Sequence, residues 1–141
     1  MAYCTQTDIE NALPPLELAR LTDDLAGDTT ATAIVAAKIA EADSVIDAHV
    51  GKQYAVPVVP PVPALLTKFS VDISIKYLYE RREVVPPTRQ KAFEDAMKLL
   101  EEIKVGGLSL GVEPAPAPSS EVQAQYSGPA QVFTRDTLEG T

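Results

Sequence analysis

The sequence has little of what most chemical sites require, because its 141 residues include one cysteine, Cys4, and one histidine, His49. A single cysteine excludes an internal disulfide, so a reducing cytosol is the expected compartment. A cysteine nucleophile needs a base and an orienting group, and a catalytic or metal-binding histidine needs companions. The sequence also lacks a glycine-rich phosphate loop, Cys/His metal spacing and a hydrolase elbow. We therefore predict no catalytic residue, no metal site and no cofactor.

Positive charge and long apolar runs are scarce as well. There are 12 Lys and Arg against 20 Asp and Glu, a formal net charge of −8. Phosphate groups and anionic membrane surfaces are bound by basic patches, so we expect neither specific nucleic-acid recognition nor membrane binding. The apolar runs are short and broken by proline, which excludes a transmembrane span. The first residues have neither the basic region nor the apolar core of a signal peptide. An acidic surface suits solubility or docking onto a basic partner.

Proline, in contrast, is abundant near the middle of the chain. Residues 54–66 contain four prolines within seven positions: Pro57, Pro60, Pro61 and Pro63. Each proline fixes φ and lacks an N–H, so this stretch predicts an extended, polyproline-like strap with a structural role. Pro63 fits the first position of a following helix. A helical pattern lies on each side, which predicts a bundle of helices folded around a stiff connector.

Apolar periodicity predicts three long helices, preceded by two short ones near the N-terminus. Their predicted bounds are a capping box beginning at Thr7, then Pro15 to about Leu21, about Thr29 to Val50, about Pro63 to Glu83, and Pro87 or Thr88 to the residues before Gly106. The helix after the strap is apolar on two faces, so it is predicted to be central and largely buried. The predicted fold class is all-α, a small helical bundle with a Pro-rich strap and an extended C-terminal tail.

The composition changes after residue 111, which predicts a helical domain over 1–111 and a flexible tail over 112–141. Residues 112–130 are rich in Pro, Ala, Ser, Gln and Glu and offer too few apolar side chains to offset the entropy of ordering them. A short motif, residues 132–138, closes the tail. Its candidate partner-binding residues are Phe133 and Leu138 as apolar anchors, with Arg135 and Asp136 as polar contacts.

Asp72 lies in the middle of the most apolar predicted helix. A buried carboxylate needs a cation or hydrogen-bond donors. Lys76 follows four residues later, and Arg81, Arg82 or Arg89 could reach Asp72 if the next helix returns antiparallel. A structural ion pair is favoured over catalysis, because no second titratable group is placed with Asp72.

Several motifs, weak one by one, follow one another in an order that resembles a known family. They are Leu21-Thr22-Asp23, Ile46-Asp47-Ala48, Tyr54-Ala55-Val56-Pro57, Val62-Pro63-Ala64-Leu65-Leu66, Val71-Asp72-Ile73, Tyr77-Leu78-Tyr79, Leu108-Ser109-Leu110-Gly111 and the closing stretch Val132 to Leu138. Over nearly its whole length the chain resembles the Mu-like prophage head-completion family, which is related to the head–tail connector (adaptor) proteins of long-tailed bacteriophages.

The resemblance implies a small helical bundle without catalysis, a structural virion protein located in the neck and assembled in the cytoplasm of the bacterial host. It implies a ring, of twelve subunits, bound beneath the portal for DNA passage and tail attachment. The implied partners are the portal protein, neighbouring connector subunits and a downstream tail or stopper protein.

Two other classes of function stay open from the residues alone. One is a soluble cytosolic interaction module or regulator that uses the same tail on a different partner. The other is a small enzyme, which would need a catalytic cluster formed across helices by Asp72, His49 and Tyr77 or Tyr79.

Overall fold

A computed structural model describes residues 1–25 and 30–116 of the chain. Within these residues the protein forms five α-helices and no strand. The helices are α1 (Gln6–Ala12), α2 (Pro15–Thr22), α3 (Thr32–Val50), α4 (Ala64–Glu80) and α5 (Pro87–Lys104). The all-α class predicted from the sequence is therefore confirmed.

The first helix begins two residues earlier than its capping pattern predicts. Thr5, not Thr7, is the N-cap: its hydroxyl accepts a hydrogen bond from the Asp8 backbone N–H, and the Asp8 carboxylate accepts one from the Thr5 backbone N–H at 2.7 Å. This reciprocal pair is a capping box, shifted along the chain. The shift places Ile9 in the core with no exposed surface.

The predicted ends of the long helices also need correction. Helix α3 starts at Thr32 without a side-chain cap, and its predicted start at Thr29 lies outside the described residues. Pro63 is the residue before helix α4 and not its first residue. Helix α4 ends at Glu80, three residues early, because the chain turns there and Glu83 adopts a left-handed conformation with φ 58°.

Helix α4 is central, as its two apolar faces predict, and it contacts all four other helices. The core has two parts. One lies between the second half of α3, the first half of α4 and the inward side of α5, and includes Ile46, Phe69 and Leu100. The other joins α1 and α2 to the first half of α3 and the second half of α4, and includes Val35 and Ile75. This pairing of opposite halves makes α3 and α4 antiparallel.

The strap is neither helix nor strand, as the prolines require, but it is not a straight polyproline-like segment. It bends at Val56–Pro57 and again at Pro60–Pro61, and both of these peptide bonds are cis. Between the bends, Val58 is buried in the core, whereas Val59 is 73% exposed. The strap therefore closes one end of the bundle and presents part of its apolar surface outward.

The chain stays packed on the bundle past the predicted domain boundary at residue 111. Val112 packs against the core, and the Ala115 backbone N–H donates to the Gln53 carbonyl at 2.9 Å. The described part of the chain ends at Pro116, so the remainder of the proposed tail stays a prediction.

Candidate interaction surfaces

A buried polar cluster fixes the N-terminal segment to α3, α4 and the strap. The Tyr3 backbone N–H donates to Asp43 at 3.1 Å. Its hydroxyl donates to Asp47 and accepts from the Val58 N–H at 3.0 Å. The Ser70 hydroxyl of α4 donates to the other oxygen of Asp43 at 2.7 Å. One tyrosine thus joins α3 to the strap, and one carboxylate joins the N-terminal segment to α4.

Burial sets the protonation of this cluster. Desolvation raises the pKa of Asp43, although the bonds from Ser70 and Tyr3 oppose that shift. Burial and the bond to Asp47 raise the pKa of Tyr3 to about 12. Burial also raises the pKa of Cys4, whose sulfur lies 3.2 Å from the Ser70 oxygen. A raised thiol pKa keeps Cys4 protonated and a poor nucleophile, so the cluster is suited to holding the chain together.

Sequence reasoning missed this cluster, because an acidic residue such as Asp43 is normally expected to face water. Asp43 is only 7% exposed. Its position four residues after Ile39 and three before Ile46 is the signal that could have placed it on the buried side. Its partner Tyr3 is 40 residues away in the chain, which no local pattern reveals.

Asp72 forms its ion pair with Lys68, one turn earlier on α4, and not with Lys76 or an arginine. Its side chain is 13% exposed and borders a groove of about 320 Å³ between α4 and α5. Lys76 pairs instead with Glu80, and its ammonium lies 4.4 Å from the centre of the Phe93 ring. That distance is within the range of a cation–π interaction.

The three arginines proposed for Asp72 serve the short helices instead. Arg89 donates to the Ala12 carbonyl at the end of α1, at 3.0 Å. Arg81 donates to the Leu21 carbonyl near the end of α2, also at 3.0 Å, and Arg82 donates to the Asp23 carbonyl at 2.7 Å. Unpaired carbonyls and the negative end of the dipole favour cations at a helix C-terminus. These contacts fasten α1 and α2 to the bundle.

The remaining enzyme hypothesis required His49 and Asp72 to meet, with Tyr77 or Tyr79. His49 instead bonds the Val45 carbonyl at 2.8 Å and lies 3.8 Å from Glu101 of α5. Tyr79 donates to Glu17 of α2. The partners of His49 and Tyr79 therefore lie on different helices, α5 and α2.

Across residues 1–25 and 30–116, no three His, Cys, Asp or Glu side chains are grouped to hold a metal ion. None of the helices in this part of the chain has the length and apolar character needed to cross a membrane.

The outward faces of α3 and α5 differ in chemistry. Each helix has eight exposed residues, of which six are charged on α5 and one is charged on α3. The exposed residues of α3 are Thr32, Ala33, Ala36, Ala37, Ala40, Glu41, Ser44 and Ala48. The single charge, Glu41, is paired with Lys38 at 2.8 Å. We call this the alanine face of α3. Along one edge it borders a groove of about 330 Å³ that Met1 and Ala2 wall on the other side.

The remaining site residues predicted from the sequence divide between the strap and the tail. Pro57 follows the first bend of the strap, and Pro63 ends the strap at the start of α4. Phe133, Arg135, Asp136 and Leu138 lie outside the described residues, so their role in partner binding stays a prediction.

Comparison with known proteins gives a family match. The model of the family described as "Bacteriophage Mu, Gp36" matches residues 3–127, which includes all five helices and the strap. A search of curated proteins finds no match.

Proposed function

Because the chain belongs to the bacteriophage Mu Gp36 family, we propose that it is a structural protein of the virion, a head–tail connector subunit. In this role, copies form a ring beneath the portal, through which DNA passes and to which the tail attaches. The family match supports a phage protein, and the surface chemistry of the bundle supports its use as a subunit that is surrounded by others.

The observation that carries the proposal is the alanine face of α3. A helix face that meets only water is normally charged, as that of α5 is. Small uncharged side chains instead allow another element to approach the helix axis closely and to exclude water. A closed ring needs a heterologous contact, in which one surface of each subunit meets a different surface of the next. We assign the alanine face to one side of that contact.

The end of the bundle formed by α1, α2 and the turn between α4 and α5 offers a second surface. It exposes three large apolar side chains, with exposed fractions of 55% for Leu16, 99% for Leu25 and 68% for Val84. A groove beside α2 adds Pro14 and Arg20 to this end. In a ring built through α3, this end lies on one of the two open ring faces, where a portal or a downstream tail protein would bind.

Net charge bears on how the ring would form. With −8 on each subunit, closing a ring brings like charges together, and the repulsion opposes spontaneous assembly. A portal template would overcome this repulsion by holding the subunits in place. We expect the isolated chain to be a monomer or a small oligomer at modest concentration and to form rings with its partner.

The test is reconstitution with the portal protein of the same phage, followed by electron microscopy. We expect additional ring density on the portal's distal face, with a twelvefold stoichiometry if the subunits follow a dodecameric portal. Quantitative mass analysis of purified virions should find the chain in the particle. Failure to bind the portal together with absence from virions would refute the proposal, and a regulator or interaction module would then be the better hypothesis.

A further inference from the structure

The strap end of the bundle carries an open apolar groove, which we call the strap groove. It is lined by Tyr54, Ala55, Val58, Val59, Val112 and Glu113 and has a volume of about 220 Å³. Tyr54 and Val58 are buried in its floor, whereas Val59 is 73% exposed on its rim and neighbouring Val56 is 40% exposed. Exposed valines around a concave apolar surface are typical of a site that another chain covers.

Hydrogen bonds fix the strap and the residues around the groove. The Tyr54 hydroxyl accepts from the Leu110 N–H at 3.1 Å, and the Val58 N–H donates to Tyr3. The Gln53 side chain donates to the Lys104 carbonyl at 3.2 Å. A site formed in advance binds more tightly, because less conformational entropy is lost when its ligand arrives.

We propose that the strap groove binds residues 132–138 of a neighbouring copy of this chain. The proposal rests on the proposed ring, which brings copies side by side. An engineered cavity of about 150 Å³ accepts a benzene molecule, so a groove of about 220 Å³ has room for a phenyl ring. Beyond residue 116 the sequence offers Phe133 and Tyr126 as its aromatic residues, and only Phe133 belongs to the closing motif, together with Val132 and Leu138.

Charge also favours this segment. Glu113 on the groove wall is exposed and makes no ion pair with any residue that the structure describes. Arg135 follows Phe133 by two residues, so it lies near Glu113 when Phe133 is in the groove, and the two charges are opposite.

Chain length allows the tail of one copy to reach the next. Sixteen residues, 117–132, lie between Pro116 and Phe133, so the two are 17 steps apart along the chain. At 3.3–3.6 Å per step this segment spans up to roughly 55–60 Å. A domain of this size has a diameter of roughly 35–40 Å. The described part of the tail leads from Val112 on the groove to Ala115, whose N–H is bonded to the Gln53 carbonyl. Pro114 and Pro116 stiffen this exit, which favours a neighbour's groove over the chain's own.

Disulfide trapping between full-length chains tests the proposal. In a Cys4→Ser background, chains carrying Thr134→Cys, which retain the Phe133 anchor, are mixed at high concentration with chains carrying Val59→Cys, under mild oxidation. The matched control replaces Val59→Cys with Val84→Cys, since Val84 is a similarly exposed valine, at 68%, at the other end of the bundle. A bound tail raises the effective concentration of the two sulfurs, so we expect the Val59 pair to cross-link at least about tenfold faster than the Val84 pair.

Equal cross-linking at both positions would overturn the proposal. So would the absence of mixed dimers, because a tail seated in its own groove blocks the neighbour's tail. Reconstitution of the wild-type chain with the portal separates this inference from the proposed function. Rings on the portal, without preference for Val59 in the cross-linking, would refute the groove assignment alone, and selective cross-linking without rings on the portal would refute the connector role alone.

Discussion

Helices α3 and α5 have nearly the same length, 19 and 18 residues, and both pack against α4. Their inward sides are alike, since each contributes fully buried aliphatic residues to the same part of the core. Their outward faces differ. Helix α5 exposes six charged residues to water, whereas α3 exposes five alanines, two hydroxyl side chains and one paired charge. The acidic residues of α3 that could have faced water, Asp43 and Asp47, are used to hold Tyr3. The difference teaches that folding the bundle explains the inward sides but not the alanine face, which is the surface we propose for contact with a neighbouring subunit.

The largest expected effect on stability concerns the inward sides of α3 and α5. Ile46 of α3 and Leu100 of α5 have no exposed surface. Truncating either to alanine removes buried methylene groups and leaves a cavity, so Ile46→Ala and Leu100→Ala should each lower the free energy of unfolding by about 2–5 kcal/mol. Chemical denaturation followed by circular dichroism measures both. A cost well below 1 kcal/mol for either variant would show that the inward sides are not equivalent.

The next effect concerns the tyrosine that uses the α3 carboxylates. Tyr3→Phe removes the acceptor of the Val58 N–H and the donor to Asp47, and we expect a loss of about 1–3 kcal/mol. Because the pKa of Tyr3 is raised from 10.0 to about 12, the folded state retains a proton that the unfolded state loses above pH 10. The wild-type chain should therefore lose stability between pH 10 and 12, and the variant should lose less. Denaturation curves at neutral pH and across this range check both parts, and parallel alkaline profiles would contradict the second.

A smaller effect is expected from Asp43 at mildly acidic pH. Burial raises the pKa of this carboxyl, so the folded state binds a proton more readily than the unfolded state does. At neutral pH the buried carboxyl is ionised, which lowers the stability of the folded state. This loss disappears as the pH falls through the pKa of Asp43 in the folded state. The stability of the wild-type chain relative to Asp43→Asn should therefore increase on acidification. Paired urea titrations from pH 7 to pH 4 measure the difference, and a relative stability that falls with pH would reverse the sign.

The smallest effect on stability is expected from substitutions on the outward faces of α3 and α5. Ala40→Glu on α3 and Lys98→Gln on α5 both change the net charge by −1 at exposed positions. Neither residue packs in the core, so each should change the unfolding free energy of the monomer by no more than about 0.5 kcal/mol. Thermal and urea denaturation at low protein concentration provide the check. A large loss for Ala40→Glu would mean that the alanine face belongs to the fold of the single chain.

The bundle itself could be predicted because helical periodicity and proline stops are local. The two apolar faces of α4 indicated its central position, and the prolines excluded helix from the strap. Polar partners could not be predicted in this way, since they depend on which segments meet. Lys68 and Lys76 both lie one turn from Asp72, so the sequence does not show which lysine forms the ion pair with it. Lys76 packs beside Phe93, which leaves Lys68 as the partner of Asp72. Thr5 and Thr7 each stand three residues before an acidic residue, so the sequence alone allows a capping box at either one. The helix starts from Thr5, and this start places Ile9 in the core.

The central claim is that the alanine face of α3 contacts a neighbouring subunit. It is tested most directly by mixing the wild-type chain, Ala40→Glu and Lys98→Gln separately with the portal protein and measuring bound copies per portal by sedimentation and native mass spectrometry. We expect full rings with the wild-type chain and with Lys98→Gln, and only a few scattered copies with Ala40→Glu. Full rings with Ala40→Glu, or equal losses with both variants, would contradict the claim.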